Sequence, residues 1–175
     1  MKAAVATENG LEIRDIRRPK PRPFEILVKV KAAGLNRADL AAAQGRGGHG
    51  AVGATIGLDW AGEVVEVGPE AKGGFSPGDR VMCAGAGGYA EYAVCDWGRT
   101  VSIPDDMTFE HAATLPVALG TMHDALVTNG RLKAGESVLI LGASSGVGLM
   151  ALQVAKILGA KLVIGTSTNA DRRAR

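Results

Sequence analysis

The chain has 175 residues, 46% hydrophobic and 22% charged, with a formal net charge of +2. That is apolar material for one ordinary domain or two small ones. The small charge, with Lys/Arg clusters no longer than the pairs Arg17-Arg18 and Arg172-Arg173, excludes the electrostatic footprint of a nucleic-acid binder. No run approaches the ~18 apolar residues of a membrane span and no secretory pattern opens the chain, so a cytoplasmic protein with no membrane partner is expected.

In chain order, residues 2–7 and 11–16 make a hairpin, with Asn9-Gly10 supplying a tight turn of positive φ. Pro19, Pro21 and Pro23 then interrupt regular structure. Residues 25–33 alternate, with Ile26, Val28 and Val30 inward and Glu25, Leu27, Lys29 and Lys31 outward. Residues 61–67, 80–83, 90–95 and 100–103 supply further strands, which together make a barrel or sandwich. Between the early strands, residues 36–44 read as a short helix that Asn36 caps, with Asp39 in its first turn and Gly45 as its stop. The glycines, 25 in all, are spread among strand-like segments, which means many tight turns rather than a linker.

After Pro104 the period changes. Residues 108–129 favour helix, with Thr108 as cap, Pro116 dividing the stretch in two and Asn129-Gly130 closing it. Residues 137–141 are a continuous apolar run, the pattern of a parallel strand buried on both faces. A Gly/Ser turn follows, then a helix over 149–158 stopped by Gly159, then an apolar strand over 161–165; this is one βαβ unit. The fold class is therefore α/β plus mostly β. A dinucleotide-binding sheet needs two such halves, so a truncated chain is expected.

Strand, then Gly142-Ala143-Ser144-Ser145-Gly146-Val147-Gly148, then helix is the setting in which small residues let a backbone approach a pyrophosphate and a helix start presents free N–H groups. A strand-to-helix turn that binds nothing would carry the same residues. A carboxylate at the end of the next strand would favour an unphosphorylated ribose, whereas this chain has Gly165-Thr166-Ser167-Thr168-Asn169, with Arg172 one turn on. Hydroxyl, amide and guanidinium groups suit a 2′-phosphate, so NADPH is expected over NADH, although Asp171 stands nearby. The same heptad also looks like that of short-chain dehydrogenases. Those enzymes open with this unit, whereas here residues 1–136 precede it, and there is no Tyr-x-x-x-Lys pair.

The upstream segments match one family in order. Gly34-Leu35-Asn36-Arg37-Ala38-Asp39-Leu40, Gly57-Leu58-Asp59-Trp60-Ala61-Gly62-Glu63-Val64, Pro77-Gly78-Asp79-Arg80-Val81, Gly88-Tyr89-Ala90-Glu91-Tyr92 and Ala112-Ala113-Thr114-Leu115-Pro116 with Thr121 resemble the quinone oxidoreductases, zinc-independent members of the medium-chain dehydrogenase/reductases. The resemblance implies a GroES-like β-barrel substrate domain over 1–120 followed by a partial NADP-binding Rossmann domain over 121–175, with NADPH held in the active-site cleft. It implies that Asn36 and Thr121 contact the nicotinamide or its ribose, that the amides of Ser144, Ser145, Gly146 and Val147 with Gly148 cradle the pyrophosphate, and that Asn169 and Arg172 reach the 2′-phosphate. Asp39 is the carboxylate candidate for catalysis. Many relatives carry a tyrosine two positions after that aspartate, where this chain has Ala41.

Zinc is not expected. Where the zinc-dependent branch carries its first cysteine this chain has Asn36, where it carries His-Glu this chain has Leu58-Asp59, and no Cys or His lies over 115–120. The two cysteines, Cys83 and Cys95, read as buried small apolar residues. Of the histidines, His49 and His111 read as solvated, and His123 alone lies near Thr121. The implied activity is hydride transfer from NADPH to a quinone or an α,β-unsaturated carbonyl, the alternative being a pyridine-nucleotide-binding sensor or scaffold without turnover. The half sheet, with its unpaired apolar edge, is expected to self-associate and to be inactive by itself.

Overall fold

A computed structural model of the chain describes residues 1–44 and 51–173; Gly45 and His49 lie outside the described residues. The chain divides into two compact units, Met1–Pro116 and Val117–Arg175.

The first unit is mostly β. Strand β1 (Lys2–Thr7) pairs antiparallel with β2 (Gly10–Asp15). The turn between them differs from the expected one. Thr7 pairs with Gly10, so Glu8 and Asn9 form the loop, and the positive φ, +106°, belongs to Gly10 alone. The Thr7 hydroxyl holds this arrangement, accepting from the Asn9 amide at 3.2 Å and donating to the Gly10 carbonyl at 2.9 Å.

Strands β3 (Glu25–Gly34), β4 (Asp59–Val67), β5 (Arg80–Ala84), β6 (Tyr92–Asp96) and β7 (Thr100–Ser102) form one antiparallel sheet in the order β6-β3-β4-β5-β7. Among the described residues the strands form open sheets rather than a closed hydrogen-bonded barrel. The hairpin reaches the rest through single bridges, Ala3 to Ala90 and Val5 to Thr55. Alternation along β4 and β5 sends Trp60 and Cys83 to one face and Ala61 and Met82 to the other. The first face packs with Ile26, Val28, Val64, Val81, Ala93 and Cys95. On the second, Ile103, Ala112 and Ala113 complete a smaller cluster beside helix α2 (Phe109–Ala112), which Thr108 caps by accepting from the His111 amide. Leu27 departs from the expected outward position and is buried, because the sheet is covered on both faces there. Both cysteines are buried in the first core, and burial pushes the Cys83 thiol well above its ordinary pKa.

Trp60 is fully buried, and a Cβ at Gly85 or Gly88 would lie 2.7 or 2.6 Å from its ring. The glycine-rich run before β6 is thus shaped by the indole that fills its side-chain space.

The second unit is α/β. Helix α3 (Pro116–His123) starts on proline, as a first helical position permits, and widens at Asp124 into a π-helical turn, Asp124–Asn129, where the sequence suggested a continuous helix. The Asn129 side-chain amide donates to the Asp124 carbonyl and carboxylate at 3.2 and 2.9 Å, and the Gly130 amide reaches back to the Ala125 carbonyl at 2.8 Å. Strand β8 (Ser137–Ile140), helix α4 (Gly146–Ile157), strand β9 (Leu162–Gly165) and helix α5 (Ala170–Arg173) follow, with β8 and β9 parallel. Gly159, at φ +80°, ends α4. The expectation that β8 is buried on both faces does not hold. Ile140, Ala151, Val154 and Ala155 pack together with Val138 and Val163 on the α4 side, while Leu139, Leu162 and Ile164 are exposed, since no described element covers the opposite face. No helix among the described residues is long and apolar enough to cross a membrane.

Replacing Gly88 with alanine forces the new methyl against the Trp60 ring and is expected to destabilise the first unit by about 1–3 kcal/mol, the usual cost of overpacking. Urea denaturation followed by Trp fluorescence measures it.

Candidate functional site

The two units each carry part of the chemistry. In the first, the end of β3 turns through Asn36 into helix α1 (Arg37–Ala43). Asn36 occupies the N-cap position in extended conformation, and Asp39 reaches back so that its Oδ2 accepts from the Asn36 amide at 2.8 Å. The Asn36 side chain turns to β4, where its Nδ2 donates to Asp59 Oδ2 at 2.8 Å. Tyr89, from the glycine-rich run, places its hydroxyl 2.8 Å from Asp39 Oδ2 and 3.0 Å from the Gly34 carbonyl. A phenol has one proton, so it can serve only one of these acceptors fully at a time. Both carboxylates are buried, and Asp39 Oδ1 has no hydrogen-bond partner among the described residues. Asp39 is thereby occupied in holding the turn, which places it behind Asn36 rather than in the open. Burial, then the neighbouring Asp39 carboxylate, hold the Tyr89 phenol well above its ordinary pKa of 10.0.

Asp59 and Tyr89 stand within the family-like motifs, but their sequence neighbours alone assign them no role. Their signal was present: a carboxylate at the first position of an otherwise apolar strand, and a tyrosine directly after glycines. Only the three-dimensional pairing with Asn36 and Asp39 joins them.

In the second unit, Thr121 lies exposed on α3, and His123 is likewise exposed. The glycine turn enters α4 through Gly142, whose φ of +67° suits glycine. Ser145 proves to be the N-cap of α4: its hydroxyl accepts from the Gly148 amide at 3.0 Å, and its own amide donates to the Gly142 carbonyl at 3.0 Å. The expected set of phosphate-facing amides is therefore reduced. Those of Ser145 and Gly148 are engaged, while those of Ser144, Gly146 and Val147 have no acceptor among the described residues. A Cβ at Gly148 would come within 2.5 Å of the Gly142 carbonyl oxygen and 2.6 Å of Ala143 Cα, so this glycine lets helix and turn close on each other. A Cβ at Gly146 would meet nothing within 4 Å, which leaves open space at the helix start.

Past β9, the Ser144 and Ser167 hydroxyls lie 2.8 Å apart, joining the glycine turn to the strand end. A pocket of about 510 Å³ beside them is lined by Ser144, Thr166, Ser167, Lys156 and Arg172 among others. Asn169 Oδ1 accepts from the Arg172 amide at 2.9 Å, so only the NH₂ of Asn169 remains to face an anion. Ser167 belongs to the hydroxyl-bearing strand end already read from the sequence, whereas Lys156 was missed because it comes from the far end of α4. Turn, free amides and basic, hydroxyl-rich pocket fit a phosphorylated dinucleotide. No group of three or more His, Cys, Asp or Glu able to hold a metal ion occurs among the described residues.

Comparison with known proteins gives these observations a family. Residues 22–105 match the alcohol dehydrogenase GroES-like domain. The human quinone oxidoreductase is 37% identical over 156 residues, covering 87% of this chain and 47% of that protein. An acryloyl-coenzyme A reductase from Metallosphaera sedula is 34% identical over 202 residues, covering 98% of this chain and 60% of that one. The crystal structure of Escherichia coli quinone oxidoreductase complexed with NADPH matches with a TM-score of 0.80 at 30% identity, over 98% of this chain and 53% of that one. The chain belongs to the medium-chain dehydrogenase/reductases. Within them it is quinone-oxidoreductase-like, and it spans about half the length of these relatives.

A raised Tyr89 pKa means that the folded protein keeps the phenolic proton to higher pH than the unfolded chain. The stability it contributes is complete below about pH 10 and is lost as pH climbs from there towards the folded value. The urea midpoint of the native protein is therefore expected to fall more steeply above pH 10 than that of Tyr89→Phe. Superimposable alkaline profiles would contradict this.

Proposed function

We propose that the complete polypeptide carrying this chain is an NADPH-dependent oxidoreductase that reduces a quinone or an α,β-unsaturated carbonyl without a metal ion. The observation that carries the reading is the glycine turn with its unmatched Ser144, Gly146 and Val147 amides beside a basic, hydroxyl-rich pocket. A structural relative in complex with NADPH and relatives named quinone oxidoreductase and acryloyl-coenzyme A reductase support it.

The amides take the pyrophosphate at the positive end of the α4 dipole. Arg172 and the Asn169 NH₂ take the 2′-phosphate, with Ser167 and Lys156 at the same pocket. Asn36 and Thr121 orient the nicotinamide or its ribose. When bound, the cofactor supplies a hydride from nicotinamide C4. The chain offers Asn36 and Leu58 at the positions where zinc-dependent relatives carry metal ligands, so the acceptor has to be electrophilic through its own conjugation. The protein's share is then proximity and orientation, worth up to ~7–11 kcal/mol of barrier.

The test is to mix the complete protein with NADPH and a panel of small quinones and enones and to follow nicotinamide absorbance. Oxidation that survives exhaustive chelation is expected. NADPH binding with no turnover on any acceptor would instead favour a pyridine-nucleotide-binding sensor or scaffold. Arg172→Ala is expected to raise the KM for NADPH about tenfold while moving that for NADH about twofold or less, the difference being one charge-assisted phosphate contact. Equal losses for both cofactors would remove Arg172 from the 2′-phosphate.

A further inference from the structure

Asn36 is held from two directions by groups that come from elsewhere in the chain. Its side-chain Nδ2 is tied to Asp59 Oδ2, at the first residue of β4. Its backbone amide is tied to Asp39 Oδ2, and that same oxygen meets the Tyr89 hydroxyl at 2.8 Å. Tyr89 is itself immobilised, its ring packed with Ala6, Ala42 and Ile56 and pressed over Gly57, where a Cβ would lie 2.5 Å from ring Cδ1. A second contact at 3.0 Å ties its hydroxyl to the Gly34 carbonyl, two residues before Asn36. Hydrogen bonds to carboxylates in a buried setting are the stronger kind. An exposed helix cap needs none of this apparatus. A single N-cap is satisfied by one side chain, whereas here two buried carboxylates and a half-buried phenol converge on one asparagine.

We propose that Asp59 and Tyr89 are positioning residues for Asn36: Asp59 fixes the rotation of its side-chain amide, and Tyr89, through Asp39, fixes the turn on which it sits. This rests on the reading that Asn36 meets the nicotinamide end of the cofactor. Neither residue touches cofactor or acceptor in this scheme. Their effect passes entirely through Asn36, so it disappears when the Asn36 side chain is removed.

The experiment is a double-mutant cycle in the complete protein, with NADPH and a small quinone. Asp59→Ala is expected to lower kcat about tenfold with the KM for NADPH moving less than about twofold, since misorientation costs rate more than binding. Asp59→Asn, which keeps an acceptor oxygen, is expected to recover most of that loss. Tyr89→Phe, which keeps the ring, is expected to lower kcat about threefold to fivefold. In an Asn36→Ala background both substitutions are expected to change kcat by less than about twofold. Should Asp59→Ala fail to fold, Tyr89→Phe carries the cycle. Independently of turnover, the Asn36 side-chain amide gives a pair of ¹⁵N-correlated proton resonances, assigned by their absence in Asn36→Ala. In the native protein these are expected to be well separated and slow to exchange with solvent, and in Asp59→Ala to collapse towards free-amide values. Additive losses in the cycle, or an unchanged Asn36 amide pair in Asp59→Ala, would overturn the proposal. Should Asn36→Ala itself leave kinetics intact, the assignment of Asn36 to the cofactor fails, and with it the positioning role, whatever holds the amide. Absence of turnover in the native protein would count against the proposed function alone, because the amide resonances still report the holding.

Discussion

The packing of the Trp60 indole against the backbone of Gly85 and Gly88 is the contact from which the first unit's site follows. A fully buried indole at the second residue of β4 needs space, and the segment before β6 provides it by carrying no side chains where the ring lies. That segment then runs straight into Tyr89, whose position is inherited from the glycines before it. Asp59, the residue before Trp60, is set by the same strand. One apolar contact thereby delivers both a phenol and a carboxylate to the turn that holds Asn36, and the polar network is a consequence of core packing rather than an addition to it.

In the second unit the comparable role falls to Gly148. By letting the start of α4 close on Gly142 and Ala143, it aligns the first amides of the helix with the end of β8. Ser145 consumes two of the local donors to fix that geometry, and the three that remain, on Ser144, Gly146 and Val147, have no acceptor among the described residues. The Ser144–Ser167 contact then couples the turn to the end of β9, so the groups that would meet a pyrophosphate and those that would meet a ribose phosphate belong to one hydrogen-bonded assembly.

Much of this was legible in the sequence, for reasons that are local. The strands of the first unit, the hairpin, the Thr108 cap and the βαβ unit all rest on period and on turn residues, which neighbouring positions encode. Asn36 and Asp39 were readable as a helix start because capping is a three-residue matter. What escaped was non-local. Leu27 alternates like an outward residue and is buried by what packs on the second face of its sheet. The π turn over Asp124–Asn129 depends on an Asn129 side chain that competes for the Asp124 carbonyl. Asp59 and Tyr89 lie far from Asn36 in sequence, and no spacing rule links them. Leu139 erred in the other direction: an apolar run predicts burial, but burial on two faces needs two covering layers.

The π turn also preserves a phase. Six residues, Asp124–Asn129, occupy a widened stretch of helix, which is the signature of one residue more than regular α pitch would hold. Deleting a single residue there would restore ordinary winding and leave the residues on either side in their present phase about the helix axis, because the widened turn is what absorbs the extra residue. Leu126, inside the widened stretch, and Leu132, beyond it, both pack with Ile140 and Val154 in the core of the unit. The widened turn thus works as a slack loop between α3 and the first parallel strand, and losing its one surplus residue should disturb that core far less than losing a residue from the regular winding of α4.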